Sequence, residues 1–214
     1  MSRTPRWENA ERPSLGDLAW ARATFEAFEP RDLFYRLATY LMNEADGKDR
    51  AFSKAEALAV LLQSWNRSYY QRLKIPFDAA HFAAIEQLLD AHADELSRYR
   101  TRSIESLVPS DEPRIRSLYS EFAAVLGQTG ASKALHMLSP RFFPLWDGPI
   151  AAQAYGLYAR DDRDYWRLVC ATAEQVKSVG GEAALGRNPI KAIDEYNYCR
   201  YTLGKSPVPE DGRS

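Results

Sequence analysis

Residues 131–155, ASKALHMLSPRFFPLWDGPIAAQAY, set one lysine, one histidine and one aspartate among mainly apolar and aromatic residues, with three prolines. Proline does not continue a helix, so Pro140 ends a helix that begins near Gly130. An aspartate followed two residues later by proline, as in Asp147 and Pro149, is typical of a helix start. This stretch therefore predicts two helices joined by a short turn, with Lys133 on the first helix and Asp147 opening the second.

Two interpretations of Lys133 and Asp147 follow from this placement. A lysine near a helix start meets the unfavourable end of the helix dipole, and partial burial would lower its pKa further and make it an amine nucleophile. Alternatively, Lys133 lies at the surface and its stem covers apolar neighbours. Asp147 caps a helix in either case, and a capping carboxylate is also fixed and ionised, as stabilisation of a cationic transition state requires. The pair is thus either a helical corner or an active-site pair across a cleft.

Helical spacing of apolar residues extends over most of the rest of the chain. Leu33, Phe34, Leu37, Tyr40 and Leu41 form one apolar stripe at this spacing. Capping residues precede several of the predicted helices: Ser53 with Glu56, Asp78, and Asn188 with Pro189. No convincing alternating strand pattern or internal repeat is present, so the sequence predicts an all-α fold.

The domain organisation follows from the polar ends and from one polar joint. Residues 1–13 are predicted to be a flexible leader and residues 205–214 a flexible tail. Residues 14–204 then form a single all-helical domain. A polar, proline-containing segment between residues 98 and 113 separates two candidate lobes, 14–97 and 111–204.

Composition excludes several functional classes. With 28 basic and 29 acidic residues, the formal net charge is −1. The chain therefore lacks the overall positive charge that is typical of proteins that bind nucleic acid or an anionic membrane. No signal-peptide core or membrane-spanning apolar run is present, which predicts a cytoplasmic protein with no membrane partner. Cys170 and Cys199 lack metal-ligand spacing, and no phosphate loop or dinucleotide fingerprint appears. No metal or cofactor is therefore expected, and the sequence gives no oligomeric state.

Further candidate site residues lie in two patches. Trp65 and Tyr69 are four residues apart and share a helix face beside arginines, where aromatic rings can stack a base or, equally, pack two helices together. His136 follows Lys133 by three residues and is either a base or a hydrogen-bonded structural histidine. Trp146 either walls a pocket or fills the core. Residues 194–198, DEYNY, either close the core or complete a pocket.

The pattern Gly-x-x-Gly-x-Ser-Lys-Ala-Leu, then Pro, Pro-x-x-Asp and Ala-x-x-Tyr-Gly resembles the core of the helix-hairpin-helix DNA glycosylase superfamily, endonuclease III type. The likeness covers roughly residues 125–156 and suggests a divergent bacterial or phage relative. It implies two all-α lobes around a cleft, a lysine of the bifunctional type at Lys133 and the aspartate of the next helix at Asp147. The hairpin differs from Leu-Pro-Gly-x-Gly, reading LGQTGAS, and no cluster-binding cysteine set follows.

The resemblance implies a DNA glycosylase or abasic-site lyase, with DNA as partner. A nucleotide rotated out of the stack would enter the cleft, where Lys133 attacks the sugar C1′ and Asp147 stabilises the developing positive charge. Trp65, Tyr69 and Trp146 would wall the pocket, and Asn66 would read a base edge. The alternative is a non-catalytic helical binding or interaction protein on the same fold, because fold alone does not fix chemistry. A concave site shared by Lys133 and Asp147 would favour the enzyme.

Overall fold

The protein is described by a computed structural model that covers residues 6–29, 32–45, 52–73, 76 and 78–207, and all regular structure in these ranges is helical. The all-α prediction is thereby confirmed for this part of the chain. The helices are α1 (Leu15–Phe28), α2 (Leu33–Ala45), α3 (Lys54–Trp65), α4 (Arg67–Leu73), α5 (Ala79–Ala91), α6 (Ala93–Arg100), α7 (Glu112–Leu138), α8 (Gly148–Ile150), α9 (Asp162–Ser178), α10 (Gly181–Leu185) and α11 (Pro189–Asn197). Two of them continue as π-helices, α8 through Ala151–Tyr155 and α11 through Tyr198–Thr202.

Several helices begin at the capping residues that the sequence indicates. Ser53 and Glu56 form a reciprocal capping box at α3, in which the Ser53 N–H donates to Glu56 Oε2 at 2.6 Å. Asp78 accepts a hydrogen bond from the His81 N–H at the start of α5. Asn188 Oδ1 accepts from two backbone N–H groups at the start of α11. These side chains satisfy backbone donors that the first helical turn leaves unpaired.

A break in α7 at Gly127 divides the helix into segments 112–126 and 128–138. Gly127 has φ 70° and ψ 165°, a conformation that side chains disfavour. A Cβ at this position would also lie 2.4 Å from Cε2 of the Tyr69 ring. Next to it, Asn66 Nδ2 donates to the Leu126 carbonyl oxygen at 3.0 Å. The junction of α3 and α4 therefore packs into the break and fixes the direction of the segment that carries Lys133.

The buried face of α2 differs from its apolar stripe. α2 packs mainly against α3, and it buries Ala38, Met42 and Ala45 there. The larger apolar side chains of the stripe are exposed instead: Leu33, Phe34, Leu37 and Tyr40. Close approach of two helices favours small residues at the contact, so the alanines and not the leucines mark the packed side.

The remaining helices share one core with α2 and α3. α1 packs against α11, and α7 packs against α9, where the Tyr119 and Tyr165 rings stack with centroids 4.2 Å apart. Contact between α1 and α11 joins helices from the two candidate lobes, whose boundaries at 14–97 and 111–204 stay a prediction. None of the helices in the described ranges is long and apolar enough to cross a lipid bilayer.

The predicted leader and tail fall partly outside the described residues, at 1–5 and 208–214. Residues 6–13 lie against the domain: Arg6–Asn9 forms a 3₁₀ turn, Trp7 packs on the core, and the Glu11 carbonyl oxygen accepts from Gln175 Nε2 at 2.7 Å. At the other end, the Lys205 N–H donates to the Cys199 carbonyl oxygen at 2.9 Å. In these short polar segments, one aromatic side chain and two backbone groups therefore make contacts with the rest of the domain.

Candidate active site

A cavity of about 340 Å³ opens between the end of α3, the second segment of α7, the start of α8 and α11, with Phe25, Glu29 and Asp32 on the remaining side. It brings together four of the residues that the sequence singles out: Trp65, Lys133, Trp146 and Asp147. The ionisable side chains of its lining are Glu29, Asp32, Lys133, Asp147, Lys191 and Asp194, and its aromatic walls are Phe25, Trp65, Trp146 and Tyr198. Lys133 and Asp147 thus share a concave site.

Lys133 is half-buried in this cavity. Its Nζ donates a hydrogen bond to the Trp65 carbonyl oxygen and lies 5.4 Å from the centroid of the Trp65 ring. Burial lowers the pKa of the ammonium group to about 8, although the negative charges of Asp147 and Asp194 act in the opposite direction. About one lysine in ten at this position is therefore a neutral amine at pH 7.

Asp147 is held at the start of α8 by its own capping contact. Its Oδ1 accepts a hydrogen bond from the Ile150 N–H at 3.1 Å, as the sequence predicts for a capping aspartate. The exposed Arg160 side chain lies against the next residue, so that a Cβ on Gly148 would be 2.6 Å from the guanidinium Nη2. The carboxylate is thus fixed in position by the Ile150 N–H, and an arginine side chain covers the backbone of the following residue.

Two further carboxylates surround a second lysine in the wall. Lys191 Nζ lies 3.0 Å from Asp32 Oδ2 and 3.5 Å from Asp194 Oδ2, and it stands over the Phe25 and Tyr35 rings. Burial alone would lower the pKa of Lys191, but its ion pairs with Asp194 and Asp32 outweigh burial and raise it. Burial raises the pKa of Asp194, and Lys191 offsets part of that effect. Asp32 has φ 36°, which few residues other than glycine adopt.

Trp65 and Trp146 are held in place by contacts with neighbouring residues. The Trp65 ring stacks on Tyr35 with centroids 5.9 Å apart and an interplanar angle of 14°. Trp146 is 1% exposed, and its backbone N–H donates to Ser132 Oγ at 3.0 Å. Because Ser132 precedes Lys133 and Trp146 precedes Asp147, this bond ties the two candidate catalytic positions together.

His136 lies behind the pocket and does not line it. Its Nδ1–H donates to the Phe143 carbonyl oxygen at 2.8 Å, which leaves Nε2 to accept from the Tyr35 hydroxyl at 3.0 Å. Burial lowers the pKa of this imidazole to about 4, so the ring is neutral at physiological pH. Both ring nitrogens are occupied, and this arrangement matches the structural alternative for His136.

Asn66 and Tyr69, predicted as substrate contacts, lie at the break in α7 and do not line the pocket. Asn66 is 4% exposed, and a Cβ on Gly130 would lie 2.6 Å from its Nδ2. Tyr69 covers Gly127, as described above. Both side chains therefore act on the backbone that carries Lys133, and a role in binding a substrate stays a prediction.

Asp32 and Lys191 could not be identified from the sequence, because the only local signal is an ordinary lysine–aspartate pair three residues apart on α11, Lys191 with Asp194. Asp194 falls in the segment 194–198, which the sequence predicts either to close the core or to complete a pocket. The structure does both there, since Asp194 lines the pocket while Tyr196 is buried.

A small cavity of about 20 Å³ adjoins the main one, with room for about one water molecule. Asp147 and Asp194 line both cavities, and Thr172 and Asn197 add polar groups to the smaller one. Within the described residues, no group of three or more histidine, cysteine, aspartate or glutamate side chains is arranged to hold a metal ion. Cys170 and Cys199 are both free thiols.

Comparison with protein families, with curated proteins and with solved structures found no significant match to this chain.

Proposed function

We propose that the protein is a DNA-acting lyase of the glycosylase type, in which Lys133 forms a Schiff base with the sugar of an abasic site. One observation carries this proposal. The amine of Lys133, with its pKa lowered to about 8 by burial, shares an aromatic-walled cavity with the fixed carboxylate of Asp147. Lysines with lowered pKa values are nucleophiles towards carbonyl carbons.

The chemistry needs the groups that line the cavity and one proton from solvent. Lys133 leaves the Trp65 carbonyl oxygen, and its neutral amine attacks the C1′ aldehyde of the ring-opened sugar to give a carbinolamine. The carbinolamine hydroxyl takes up a proton from solvent and leaves as water, and the nitrogen lone pair forms the C=N bond of an iminium ion at Nζ. Asp147 stabilises this positive charge, because its carboxylate is held by the Ile150 N–H and needs no reorientation.

The dimensions of the cavity suit one nucleoside. A volume of about 340 Å³ falls at the small end of the range for ligand pockets. Trp65 offers aromatic surface to a base or sugar that has been rotated out of a duplex, or to the end of a single strand, whereas Trp146 is almost fully buried. The backbone phosphates would remain outside, because four carboxylates against two lysines give the lining a formal charge of −2.

The second candidate is a helical binding protein without catalysis. Two observations favour it: the Lys133 ammonium already has a partner in the Trp65 carbonyl oxygen, and the acidic lining would attract a cationic group of a partner. In that case Asp147 is only a helix cap. Lys133 would then act mainly in its protonated form and would serve to close the wall of the cavity.

Borohydride trapping with abasic-site oligonucleotides distinguishes the two candidates. Wild type, Lys133→Gln and the exposed control Lys177→Gln would be incubated with single- and double-stranded substrates, reduced, and resolved by denaturing electrophoresis. We expect a covalent adduct with wild type and with K177Q, and a loss of at least 100-fold with K133Q. Lys177 pairs with Glu174 on α9 and lies away from the cavity, so it controls for non-specific reaction of surface amines.

Absence of any adduct with wild type on both substrates would refute the lyase proposal. An adduct that persists in K133Q would show that another amine reacts. Base release without an adduct would indicate a glycosylase that uses water as nucleophile, and Asp147→Asn would then be the informative variant.

A further inference from the structure

Asp194 stands at the boundary between the main cavity and the water-sized one. It lines both, as Asp147 does, so two carboxylates from different helices face the space into which Lys133 projects. Both carboxylates influence the Lys133 ammonium by direct electrostatic attraction. The two differ in what holds them.

Asp147 is committed to its helix cap, where one oxygen accepts from the Ile150 N–H. Asp194 makes no such bond to a backbone group. Within the described residues, its one polar side-chain contact is with Lys191 at 3.5 Å, and Lys191 lies closer to Asp32, at 3.0 Å. Lys191 therefore keeps one carboxylate partner when Asp194 takes up a proton. Asp147, by contrast, is fixed by its backbone contact.

We infer that Asp194 is a second catalytic carboxylate, the base that removes the C2′ proton of the abasic sugar once Lys133 has formed its Schiff base. This inference rests on the proposed lyase function. It assigns the elimination step to a residue of α11, whereas the resemblance to DNA glycosylases implies only Lys133 and Asp147.

The step balances without any further reactant. Asp194 takes the C2′ proton, and the C2′–H electron pair forms the C2′=C3′ double bond conjugated to the iminium. The C3′–O bond breaks, and the 3′ phosphate leaves with its electrons. The neutral Asp194 acid then loses its proton to solvent, directly or through a water molecule in the adjoining cavity. Burial raises the pKa of Asp194, which makes this carboxylate a stronger proton acceptor than an exposed one.

The test separates adduct formation from strand cleavage. Asp194→Asn would be compared with wild type on an abasic-site oligonucleotide, measuring the borohydride-trapped adduct and the rate of β-elimination in parallel. We expect D194N to trap at least as much adduct as wild type and to cleave about 100-fold more slowly, the lower end of what a general base contributes.

One further variant controls for structural effects. Glu195→Gln removes a carboxylate from the next position on α11, where it pairs with Arg187 away from the cavity. With E195Q, the ratio of cleavage to adduct should remain that of wild type. Asp32→Asn is a probe of the Lys191 ion pair and not a control, because it removes the other carboxylate beside that lysine. If D194N fails to fold, Asp194→Ala with added formate gives the same comparison, and cleavage should then depend on formate.

Each outcome has a distinct meaning. Wild type that forms no adduct refutes the proposed function, and the role of Asp194 falls with it. Wild-type adduct together with wild-type cleavage by D194N refutes the role of Asp194 alone. Parallel loss of adduct and cleavage in D194N also overturns it, and equal losses in D32N would then show that Asp194 serves to hold Lys191.

Discussion

Burial of the Lys133 ammonium group should make the stability of the protein depend on pH, and Lys133→Met should remove that dependence. A fall in pKa from 10.5 to about 8 corresponds to about 3 kcal/mol of unfavourable free energy for the charged form in the folded state. Because the side chain is half-buried at an open cavity, solvent screening reduces this to about 2 kcal/mol. K133M also loses the hydrogen bond to the Trp65 carbonyl oxygen, and this loss cancels about 1 kcal/mol of the stability gained by removing the charge, at every pH.

The sign follows from which state holds the proton. Below pH 8 the lysine is protonated in both states, and the folded protein bears the full cost of the buried charge. Between pH 8 and pH 10.5 only the unfolded chain keeps the proton, so the free energy of unfolding of wild type rises relative to K133M. The free energy of unfolding of K133M minus that of wild type should therefore fall by about 2 kcal/mol between pH 7 and pH 10.5.

Urea unfolding of both proteins at several pH values measures this difference directly, because titrations shared by both proteins cancel. Lys177→Met, at an exposed ion pair on α9, is the matched control and should show no such trend. A difference between wild type and K133M that stays constant across this range would mean that Lys133 keeps an ordinary pKa. Lys133 would then not be a nucleophilic amine at neutral pH.

Two further predictions concern the backbone behind the site. Gly127→Ala should lower the free energy of unfolding by about 2–6 kcal/mol, since it combines backbone strain with a collision against the Tyr69 ring. Gly186→Ala, at φ 61° with nothing within 4 Å of its Cβ, should cost only about 1–2 kcal/mol, and equal losses in urea unfolding would refute the collision. Tyr35→Phe should cost about 1–3 kcal/mol by leaving Nε2 of the buried His136 without a donor. Tyr40→Phe on the exposed side of α2 should be neutral, and a neutral Y35F would contradict the bonding assigned to His136.

Local chemistry explains which parts of the fold were predictable. A cap is decided by residues three apart, so Ser53, Asp78, Asp147 and Asn188 could be placed from sequence. The buried side of α2 could not, because it depends on which face docks on α3. The apolar stripe of α2 is wide enough for the helix to pack against α3 in more than one orientation. Small residues at the contact, Ala38 and Ala45, allow closer approach than the leucines do.

The candidate site shows the same division. Lys133 and Asp147 are close in sequence and joined by one turn, so a shared cavity was a reasonable expectation. The ion pair of Asp32 with Lys191 joins residues that are far apart in the sequence, and no local pattern predicts it. The sequence suggests Asn66 as a recognition residue because an amide beside aromatic rings suits a base edge. In the structure that amide donates to the Leu126 carbonyl oxygen, directly before the break at Gly127.

Charge provides the strongest physical distinction between catalysis and simple binding at this cavity. With Lys133 as a neutral amine, four carboxylates face Lys191 alone, and the lining has a formal charge of −3. Formation of an iminium ion at Nζ restores one positive charge at the place where Asp147 and Asp194 already attract the ammonium. The lining therefore stabilises the cationic intermediate more than the neutral amine and aldehyde that precede it, which is the differential binding that catalysis requires. A purely structural Lys133 gains nothing from a lowered pKa, because its bond to the Trp65 carbonyl oxygen is strongest when the amine is charged.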